Sequence, residues 1–169
     1  MKKVRAFTLI ELIIYLGIFA IISGALTSLV INFIQTSRQI NAFGAIQENE
    51  KIAINTMSEE IKQSVGVYTP TSVLDVNPGQ LSLETKSYLP AQENTTYVDF
   101  YIDGKGIYVK RENQTPTRLT SQDVEVSNFN VNLISQAPIP ALHIDLSLTS
   151  KDLPGKTFPI SFTASLRPN

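Results

Sequence analysis

Residues 2–34 read KKVRAFTLIELIIYLGIFAIISGALTSLVINFI, and this stretch decides the architecture of the chain. It starts with basic residues and continues as a long apolar run. A helix needs about 20 apolar residues to cross a hydrocarbon layer of about 30 Å, so residues 7–34 suffice for one membrane span. Because basic flanks stay on the cytoplasmic side of a membrane, Lys2, Lys3 and Arg5 predict a cytoplasmic N-terminus and place the remainder of the chain outside the cytoplasm.

One acidic residue, Glu11, lies inside the apolar run, and residues 12–37 after it carry no charge. A charged side chain at the centre of a membrane helix costs about 2.5–3.5 kcal/mol on insertion scales. An acid in such a place is therefore a candidate functional residue. Glu11 is the fifth residue of the segment that begins at Phe7.

A secretory signal peptide is an alternative interpretation of the same segment. Such peptides combine a basic region, an apolar core of about 7–15 residues and a small-x-small cleavage site, and Ser-Gly-Ala at residues 23–25 fits that site. Two features argue against it, because Glu11 interrupts the early core and the apolar run continues past residue 25 to Ile34. The mature N-terminus separates the two interpretations, since secretory cleavage would expose Leu26.

The string AFTLIEL at residues 6–12 resembles the class III signal of type IV pilins and pseudopilins. The resemblance implies that the prepilin peptidase, a membrane aspartyl peptidase, cuts between Ala6 and Phe7 and then N-methylates Phe7. It also implies that Glu11 pairs with the N-terminal amine of a neighbouring subunit when the helices pack into a filament. The implied packing surface consists of the apolar side chains around Glu11: Leu9, Ile10, Leu12, Ile13, Ile14 and Leu16.

The sequence departs from the family pattern at Ala6, where these proteins usually have glycine. Alanine is the smallest possible substitute. We therefore expect cleavage to be retained at a lower rate.

The composition limits the remaining possibilities. None of the 169 residues is cysteine, which excludes a disulfide framework and a thiolate metal site. From Arg38 onward the chain has 11 basic and 14 acidic residues, so the net charge of this part is −3. This balance does not predict strong non-specific binding to nucleic acid or anionic lipid.

Residues 35–65 have the pattern of an amphipathic helix that continues the membrane helix. Gly66 and Pro70 predict where it stops, and Glu60 is predicted on its polar side. The apolar residues recur at three- and four-residue steps: Ile40, Phe43, Ile46, Ala53, Ile54, Met57, Ile61 and Val65.

Beyond the helix, alternating apolar residues predict five or six antiparallel strands. A loop region over residues 69–90 contains one short strand at 80–85, and a hairpin follows over 97–111 with a tight turn at 103–106. The later strands are predicted at residues 123–134, 142–148 and 158–166. The predicted fold class is α+β, in which the first half of a long N-terminal helix spans the membrane and the outer half packs on an antiparallel β-sheet, as in pilins.

The order of the helix, the DGKGIYVKRE hairpin at residues 103–112 and a late strand pair is similar to J-type pseudopilins and related minor pilins. This second resemblance rests on strand order and hydrophobic rhythm. It implies a minor component near the filament tip, where assembly is initiated.

The sequence offers no group of residues for catalysis, a metal or a cofactor. His143, the single histidine, alternates with apolar strand residues and is predicted to face solvent, without a second catalytic group. Asp99, Asp103 and Asp123 lack the spacing of a calcium loop, and the turn at residues 103–106 lacks the helix that follows a phosphate-binding loop. We therefore predict no enzyme activity, no catalytic residue, no metal and no cofactor.

These observations predict a cytoplasmic leader at residues 1–6, a transmembrane and assembly helix at 7–34 and an extracytoplasmic domain at 35–169. The predicted function is that of a structural subunit, in a minor role, of a type IV pilus or a type II secretion-like pseudopilus. The resemblance implies as partners other pilin or pseudopilin subunits, the prepilin peptidase, an inner-membrane platform protein with a cytoplasmic ATPase, and membrane lipid. The protein is expected first in the cytoplasmic membrane and then in a filament at the cell surface or in the periplasm.

Two other functions remain open. The outer domain could bind an exported substrate, or DNA in a competence system, through a local basic patch made of Lys105, Lys110, Arg111 and Arg118. Alternatively, the chain is a membrane-anchored surface domain that never polymerises.

Overall fold

A computed structural model describes residues 8–89, 93–134 and 140–167 of the chain. The chain divides into two compact units, Met1–Ile40 and Asn41–Asn169. The long helix α1 (Leu9–Gln63) provides the first unit and begins the second. Antiparallel strands follow the helix, which confirms the predicted α+β class with a long N-terminal helix.

In the first unit, α1 exposes nearly all of its apolar side chains. An 18-residue window of the helix has a mean hydropathy of 2.3 and no buried residue. By length and composition α1 is able to cross a membrane, and no other helix among the described residues meets that condition. Because water is a poor surrounding for so large an apolar surface, this segment needs lipid or apolar partners.

In the second unit, α1 is amphipathic, as the spacing of its apolar residues predicts. The predicted apolar face is wrong at Ile40, which belongs to the first unit and is 64% exposed. Phe43 is 39% exposed, and its ring packs edge-on against Phe158 at 5.2 Å. The prediction for Glu60 is also wrong, because this residue is buried. The face that is buried consists of Ala42, Ile46, Asn49, Ala53, Met57, Glu60 and Ile61.

The helix ends at Gln63, two residues before the predicted boundary. The Ser64 hydroxyl donates to the carbonyl oxygen of Ile61 at 2.7 Å, which satisfies one of the carbonyl groups that a helix leaves free at its end. The next residues pair as a strand, β1 (Ser64–Val67). Strand pairing therefore ends the helix before the glycine and proline that the sequence suggested.

The strands form two antiparallel sheets. The described residues contain eight strands: β1, β2 (Gln80–Thr85), β3 (Thr96–Asp103), β4 (Gly106–Arg111), β5 (Thr117–Arg118), β6 (Val124–Ile134), β7 (Ala141–Ser150) and β8 (Thr157–Ser165). Strands β1 to β5 make a five-stranded sheet in chain order, and β6 to β8 make a three-stranded sheet in chain order.

The prediction of five or six strands in one sheet is corrected to eight strands in two sheets within the described residues. Strand β2 has its predicted bounds, and the hairpin and the three last strands lie close to theirs. Strands β1 and β5 contain only four and two residues, too few for an alternating pattern to be recognised. The predicted loop region is described up to residue 89, so its last residue, Pro90, lies outside the described residues.

The hairpin between β3 and β4 turns at Gly104 and Lys105, whose φ angles are 51° and 67°. These residues connect Asp103 to Gly106, which pair with each other. Two successive positive φ angles give the turn a twist that matches its strands. Glycine adopts such an angle without strain, so the predicted glycine-containing turn is confirmed.

Strand β6 contains a bulge, at which its register against β7 shifts between Val126 and Asn128. The bulge explains an irregular step in the sequence, because Val124 and Val126 are two residues apart and the next buried residue, Phe129, is three away. The extra residue restores the inward direction of Phe129. Without it, strand alternation would turn that ring to the solvent face.

One hydrophobic cluster joins the second-unit part of α1 to both sheets. Alternate strand residues supply it, as the period of two in a strand requires. Its largest fully buried side chains include Met57, Leu81, Phe100, Ile107, Phe129 and Leu146. The helix and the two sheets therefore share a single core.

Gly79 lies where a loop closes over the edge of β6. Its amide donates to the carbonyl oxygen of Phe129 at 2.7 Å, and a Cβ added to it would meet that oxygen at 3.0 Å and the carbonyl oxygen of Val73 at 3.2 Å. We expect Gly79→Ala to lower the free energy of unfolding by about 1–2 kcal/mol, because backbone atoms must move to admit the methyl group. Thermal unfolding of the full chain in detergent measures this. The matched control is Gly66→Ala, whose Cβ would meet nothing within 4 Å; equal losses in the two variants would contradict the prediction.

Candidate assembly site at the start of the helix

The first turn of α1 is organised by Thr8 and Glu11. The Glu11 amide donates to the Thr8 hydroxyl at 3.4 Å, and the Leu12 amide donates to the Thr8 carbonyl oxygen at 3.2 Å. Threonine before a helix with glutamate three residues later is the spacing of a capping box, and an acid in the first turn also stabilises the positive end of the helix dipole. The Thr-x-x-Glu spacing signals this cap in the sequence, although the predictions above did not include it.

Tyr15 is the polar neighbour of Glu11 along the helix. Its hydroxyl donates to Glu11 Oε1 at 3.4 Å, which is longer than the usual 2.5–3.0 Å of such a bond. Residues four apart lie on the same side of a helix. This weak contact leaves the carboxylate of Glu11 available to a stronger partner.

The apolar residues of the predicted assembly surface surround Glu11 and are exposed in the first unit. Leu9 is 77% exposed, Ile10 68% and Leu12 56%. Ile13, Ile14 and Leu16 are also more than half exposed. The structure therefore brings the acid and the apolar residues together on one accessible segment.

Gly17 and Gly24 lie seven residues apart, C-terminal to Glu11 in α1. Because glycine has no side chain, the helix is thinner at these two positions. A Cβ added to either of them would meet nothing within 4 Å in the described residues. The absence of a side chain at these positions is therefore not required by packing within the chain. Residues seven apart lie on nearly the same face of a helix, and small residues at an interface allow a neighbouring helix to approach closely in a membrane.

The remaining predicted residues of this site lie outside the described residues. They are the leader charges, the two residues of the cleavage site and the methylation position: Lys2, Lys3, Arg5, Ala6 and Phe7.

Two of the four basic residues in the predicted DNA-binding patch are engaged by acids. Arg111 is paired with Glu60, and Lys105 Nζ lies 3.0 Å from Glu125 Oε2. Lys110 precedes Arg111 in β4, and successive strand residues point to opposite faces of a sheet. Lys110 and Arg111 therefore do not belong to one patch on a single face of the sheet.

The predicted solvent-facing position of His143 fits the structure, in which its side chain is 36% exposed. Its Nδ1 lies 3.0 Å from the Thr163 hydroxyl, and its Nε2 lies 3.4 Å from Asp145 Oδ1. The first contact joins β7 to β8, and the second lies within β7 between residues two apart, which point to the same face of the sheet. Across residues 8–89, 93–134 and 140–167, no group of three or more His, Asp or Glu side chains is close enough to hold a metal ion.

The outer face of the five-stranded sheet contains a small cleft of about 190 Å³. The rings of Tyr68 and Tyr97 pack against each other in it at 4.6 Å. Its lining residues are Tyr68, Thr71, Tyr97, Asp99, Lys110 and Glu112. On the same face, burial and then the carboxylates of Asp103 and Asp99 raise the pKa of Tyr101. The charged residues that line the cleft are two acids and one lysine.

The sequence predictions missed a buried ion pair between α1 and β4. Arg111 Nε donates to Glu60 Oε1 at 2.8 Å, and Nη2 donates to the same oxygen. The Tyr88 hydroxyl approaches that oxygen at 3.4 Å, and the guanidinium lies over the Tyr88 ring. Burial alone lowers the pKa of Arg111, but the hydrogen bond and charge of Glu60 outweigh it and raise that pKa.

A second missed residue is Asn49, which is buried on α1. Its Nδ2 donates to the Ala45 carbonyl oxygen at 2.6 Å and to the Ser121 hydroxyl at 3.3 Å, and its Oδ1 accepts from the Ser121 amide. The sequence did contain a sign of this residue, because the apolar series skips from Ile46 to Ala53 and Asn49 fills the intervening turn.

Residues 1–27 match the family model for the prokaryotic N-terminal methylation motif. No curated protein and no solved structure matches the chain. The motif confirms the resemblance to type IV pilins and pseudopilins at the N-terminus, and together with the apolar helix it supports a membrane-anchored, pilin-like structural subunit.

Proposed function

We propose, from the methylation motif at residues 1–27 and the exposed apolar helix that begins within it, that this protein is a structural subunit of a type IV pilus or a type II secretion-like pseudopilus. It is made with a leader at residues 1–6, a transmembrane and assembly helix at 7–34 and an extracytoplasmic domain at 35–169. Lys2, Lys3 and Arg5 hold the leader in the cytoplasm. The observation that carries the proposal is the joint occurrence of the motif and a single acid, Glu11, in the apolar segment 7–34.

The prepilin peptidase cuts this precursor between Ala6 and Phe7 and methylates the new N-terminus. The exposed amine is cationic near neutral pH, and methylation keeps its charge. Two charges in an apolar environment offset each other's desolvation only when they are paired. Glu11 is the acid that accepts the amine of a neighbouring subunit, because its contact with Tyr15 is weak and its surroundings are apolar.

Pairing between Glu11 of one subunit and Phe7 of the next fixes the axial register of the two helices. The bare side chains of Leu9, Ile10 and Leu12 then pack against the neighbour as the helix leaves the lipid. A platform protein in the membrane and a cytoplasmic ATPase drive this extraction. The similarity to J-type proteins supports a minor subunit near the tip.

Mass spectrometry of the protein isolated from its own cells tests this function. We expect a mature chain that begins at Phe7 and carries one added methyl group on its terminal nitrogen. The matched variant is Ala6→Gly, which restores the usual residue before the cut and is expected to increase the cleaved fraction. An intact leader in all of the protein, or an N-terminus at Leu26 from secretory cleavage, would reject the proposal.

A further inference from the structure

We propose that the free edge of β8 is a docking site for an extended strand of another protein, which joins the three-stranded sheet as its fourth strand. An edge strand presents unpaired backbone amide and carbonyl groups, and the addition of an extended segment to such an edge is a common mode of recognition. The inference concerns the second unit alone. It does not depend on whether the chain polymerises.

The register of the sheet shows which backbone groups of β8 are free. The amide of Leu166 donates to the carbonyl oxygen of Pro140 at 3.1 Å, in register with the β7–β8 pairing. In an antiparallel pair, backbone groups point alternately toward and away from the partner, so the odd-numbered residues of β8 point away from β7. Pro159 is odd-numbered, which agrees with the rule that proline in a sheet has its nitrogen on the free side of an edge strand. The amides at the free edge are those of Ser161, Thr163 and Ser165.

No other part of the described chain covers this edge with a backbone hydrogen bond. The opposite edge of the same sheet is closed, because carbonyl oxygens of β6 accept from the amides of Asp75 at 2.9 Å and Gly79 at 2.7 Å. The Val126 amide of β6 donates to the carbonyl oxygen of Lys105 at 2.8 Å. The edges of the five-stranded sheet, β1 and β5, are four and two residues long. Among the described strands, β8 is therefore the long open edge.

The edge of β8 also lacks the usual protection against pairing. Proteins guard an exposed edge with charged side chains, bulges or proline. The nine residues of β8 read TFPISFTAS and include no charge. Their pairing with β7 is regular from end to end. Pro159 prevents backbone pairing only near the start of β8, so residues 161–165 remain available to pair with another strand.

The side chains of β8 define the chemistry of the incoming strand. Phe158 and Phe162 face the core but are only partly buried, although the ring of Phe158 packs edge-on against Phe43 of α1. A neighbouring strand would complete their cover with apolar side chains on that face. On the other face, polar residues would lie beside Ser161 and Thr163. The partner therefore alternates apolar and polar residues.

The charges at the ends of β8 favour a different protein over a second copy of this chain. Lys156 precedes the strand and Arg167 follows it, and both are exposed. Antiparallel pairing of two copies about Ser161 would place Lys156 of one copy opposite Leu166 of the other, one residue from Arg167. Two positive charges would then lie at each end of the joined strands, and like charges repel. A strand with an acidic residue at each end has no such conflict.

A synthetic peptide of about ten residues, with valine and threonine alternating between terminal glutamates, is a suitable probe. Amide hydrogen exchange by NMR on the full chain in detergent micelles reports its binding. We expect the amides of Ser161, Thr163 and Ser165 to exchange fast in the free protein and about tenfold more slowly with saturating peptide. The amides of Ile160, Phe162 and Ala164, which face β7, should be protected in both states.

Thr163→Pro and Thr163→Val form a matched pair of variants. Both lose the contact of the Thr163 hydroxyl with His143, but only the proline variant also loses the outward amide. We expect the proline variant to bind the peptide about tenfold more weakly than the valine variant. If Thr163→Pro fails to fold, the pair Ser161→Pro and Ser161→Val makes the same comparison at the neighbouring outward amide.

Three results would overturn the proposal. The first is slow exchange of the outward amides in the free, monomeric protein, which would show that the edge is already covered. The second is equal peptide affinity of the proline and valine variants. The third is concentration-dependent protection of β8 without peptide, which would show that a second copy of the chain is the occupant.

Discussion

Glu11→Ala is expected to reduce the amount of this protein in sheared filaments about a hundredfold, while its amount in the membrane stays the same. In the proposed filament, the Phe7 amine of one subunit is neutralised by Glu11 of its neighbour. Without the acid, a cation stays unpaired in an apolar environment, at a cost of about 2.5–3.5 kcal/mol, which corresponds to about two orders of magnitude in an equilibrium. Immunoblots of the sheared and membrane fractions of cells that assemble the filament measure both amounts.

Glu11→Gln separates the helix cap seen in the structure from the proposed ion pair with a neighbouring subunit. Glutamine retains the spacing of the capping box with Thr8 but has no charge to pair with an amine. If charge pairing drives assembly, the glutamine variant is lost from filaments as the alanine variant is. Filaments that contain the glutamine variant at the normal level would show that the cap, not the ion pair, is what assembly needs.

Glu48→Ala is the control for the removal of an acid from the same helix, because Glu48 is exposed in the second unit. It should enter filaments as the unchanged protein does. Normal incorporation of Glu11→Ala would show that Glu11 has no role in assembly. Absence of both the unchanged protein and the variant from sheared filaments would favour a membrane-anchored domain that does not polymerise. Incorporation into filaments and cleavage before Phe7 are measured independently, so the two experiments show separately whether assembly or processing fails.

Much of the fold was predictable from the sequence because its main elements depend on local periodicity. The long apolar run and the three- and four-residue steps predict α1, and strict alternation predicts β7, in which Leu142, Ile144, Leu146 and Leu148 are all buried. The division into two sheets was not predictable, because it depends on which strands pair at long range. Strands β1 and β5 form because they pair with neighbouring strands, and their own residues carry no periodic pattern.

The candidate site was predictable only where its residues interact with near neighbours in the chain. The Thr8–Glu11 cap is a local motif, and the motif at residues 1–27 is recognisable as a string. The pairing of Glu60 with Arg111 connects residues 51 positions apart. A charged residue on a helix reads as solvent-exposed until its partner strand is known, so Glu60 was assigned to the wrong face.

Glu60→Ala is expected to lower the free energy of unfolding by about 3 kcal/mol and the midpoint of thermal unfolding by roughly 10 °C. The Glu60 side chain is 5% exposed and that of Arg111 is 23% exposed. Removing the acid leaves the guanidinium without its counter-charge in a partly buried place, and such a loss costs far more than breaking a surface ion pair. Thermal unfolding of the full chain in detergent, followed by circular dichroism, measures the change.

The neighbouring acid gives a matched control, because Glu59 is exposed and lies in the same helical turn. Its replacement by alanine removes the same side chain as Glu60→Ala does. Glu59→Ala should change the free energy of unfolding by less than about 0.5 kcal/mol. The raised pKa of Arg111 also predicts how the stability difference between Glu60→Ala and Glu59→Ala depends on pH. A cation with a raised pKa stabilises the folded state at every pH below its ordinary titration range, so the difference between the two variants should be constant from neutral pH to about pH 10.

The double variant Glu60→Met with Arg111→Met shows whether the loss comes from the pair or from either side chain alone. If the ion pair is the cause, replacing both charges with apolar groups should cost less than the sum of the two single replacements, because no unpaired charge remains. Additive losses would mean that each side chain stabilises the domain separately, through its own packing. In that case the position of Arg111 over the Tyr88 ring, at 5.2 Å from its centroid, becomes the better explanation for the buried guanidinium.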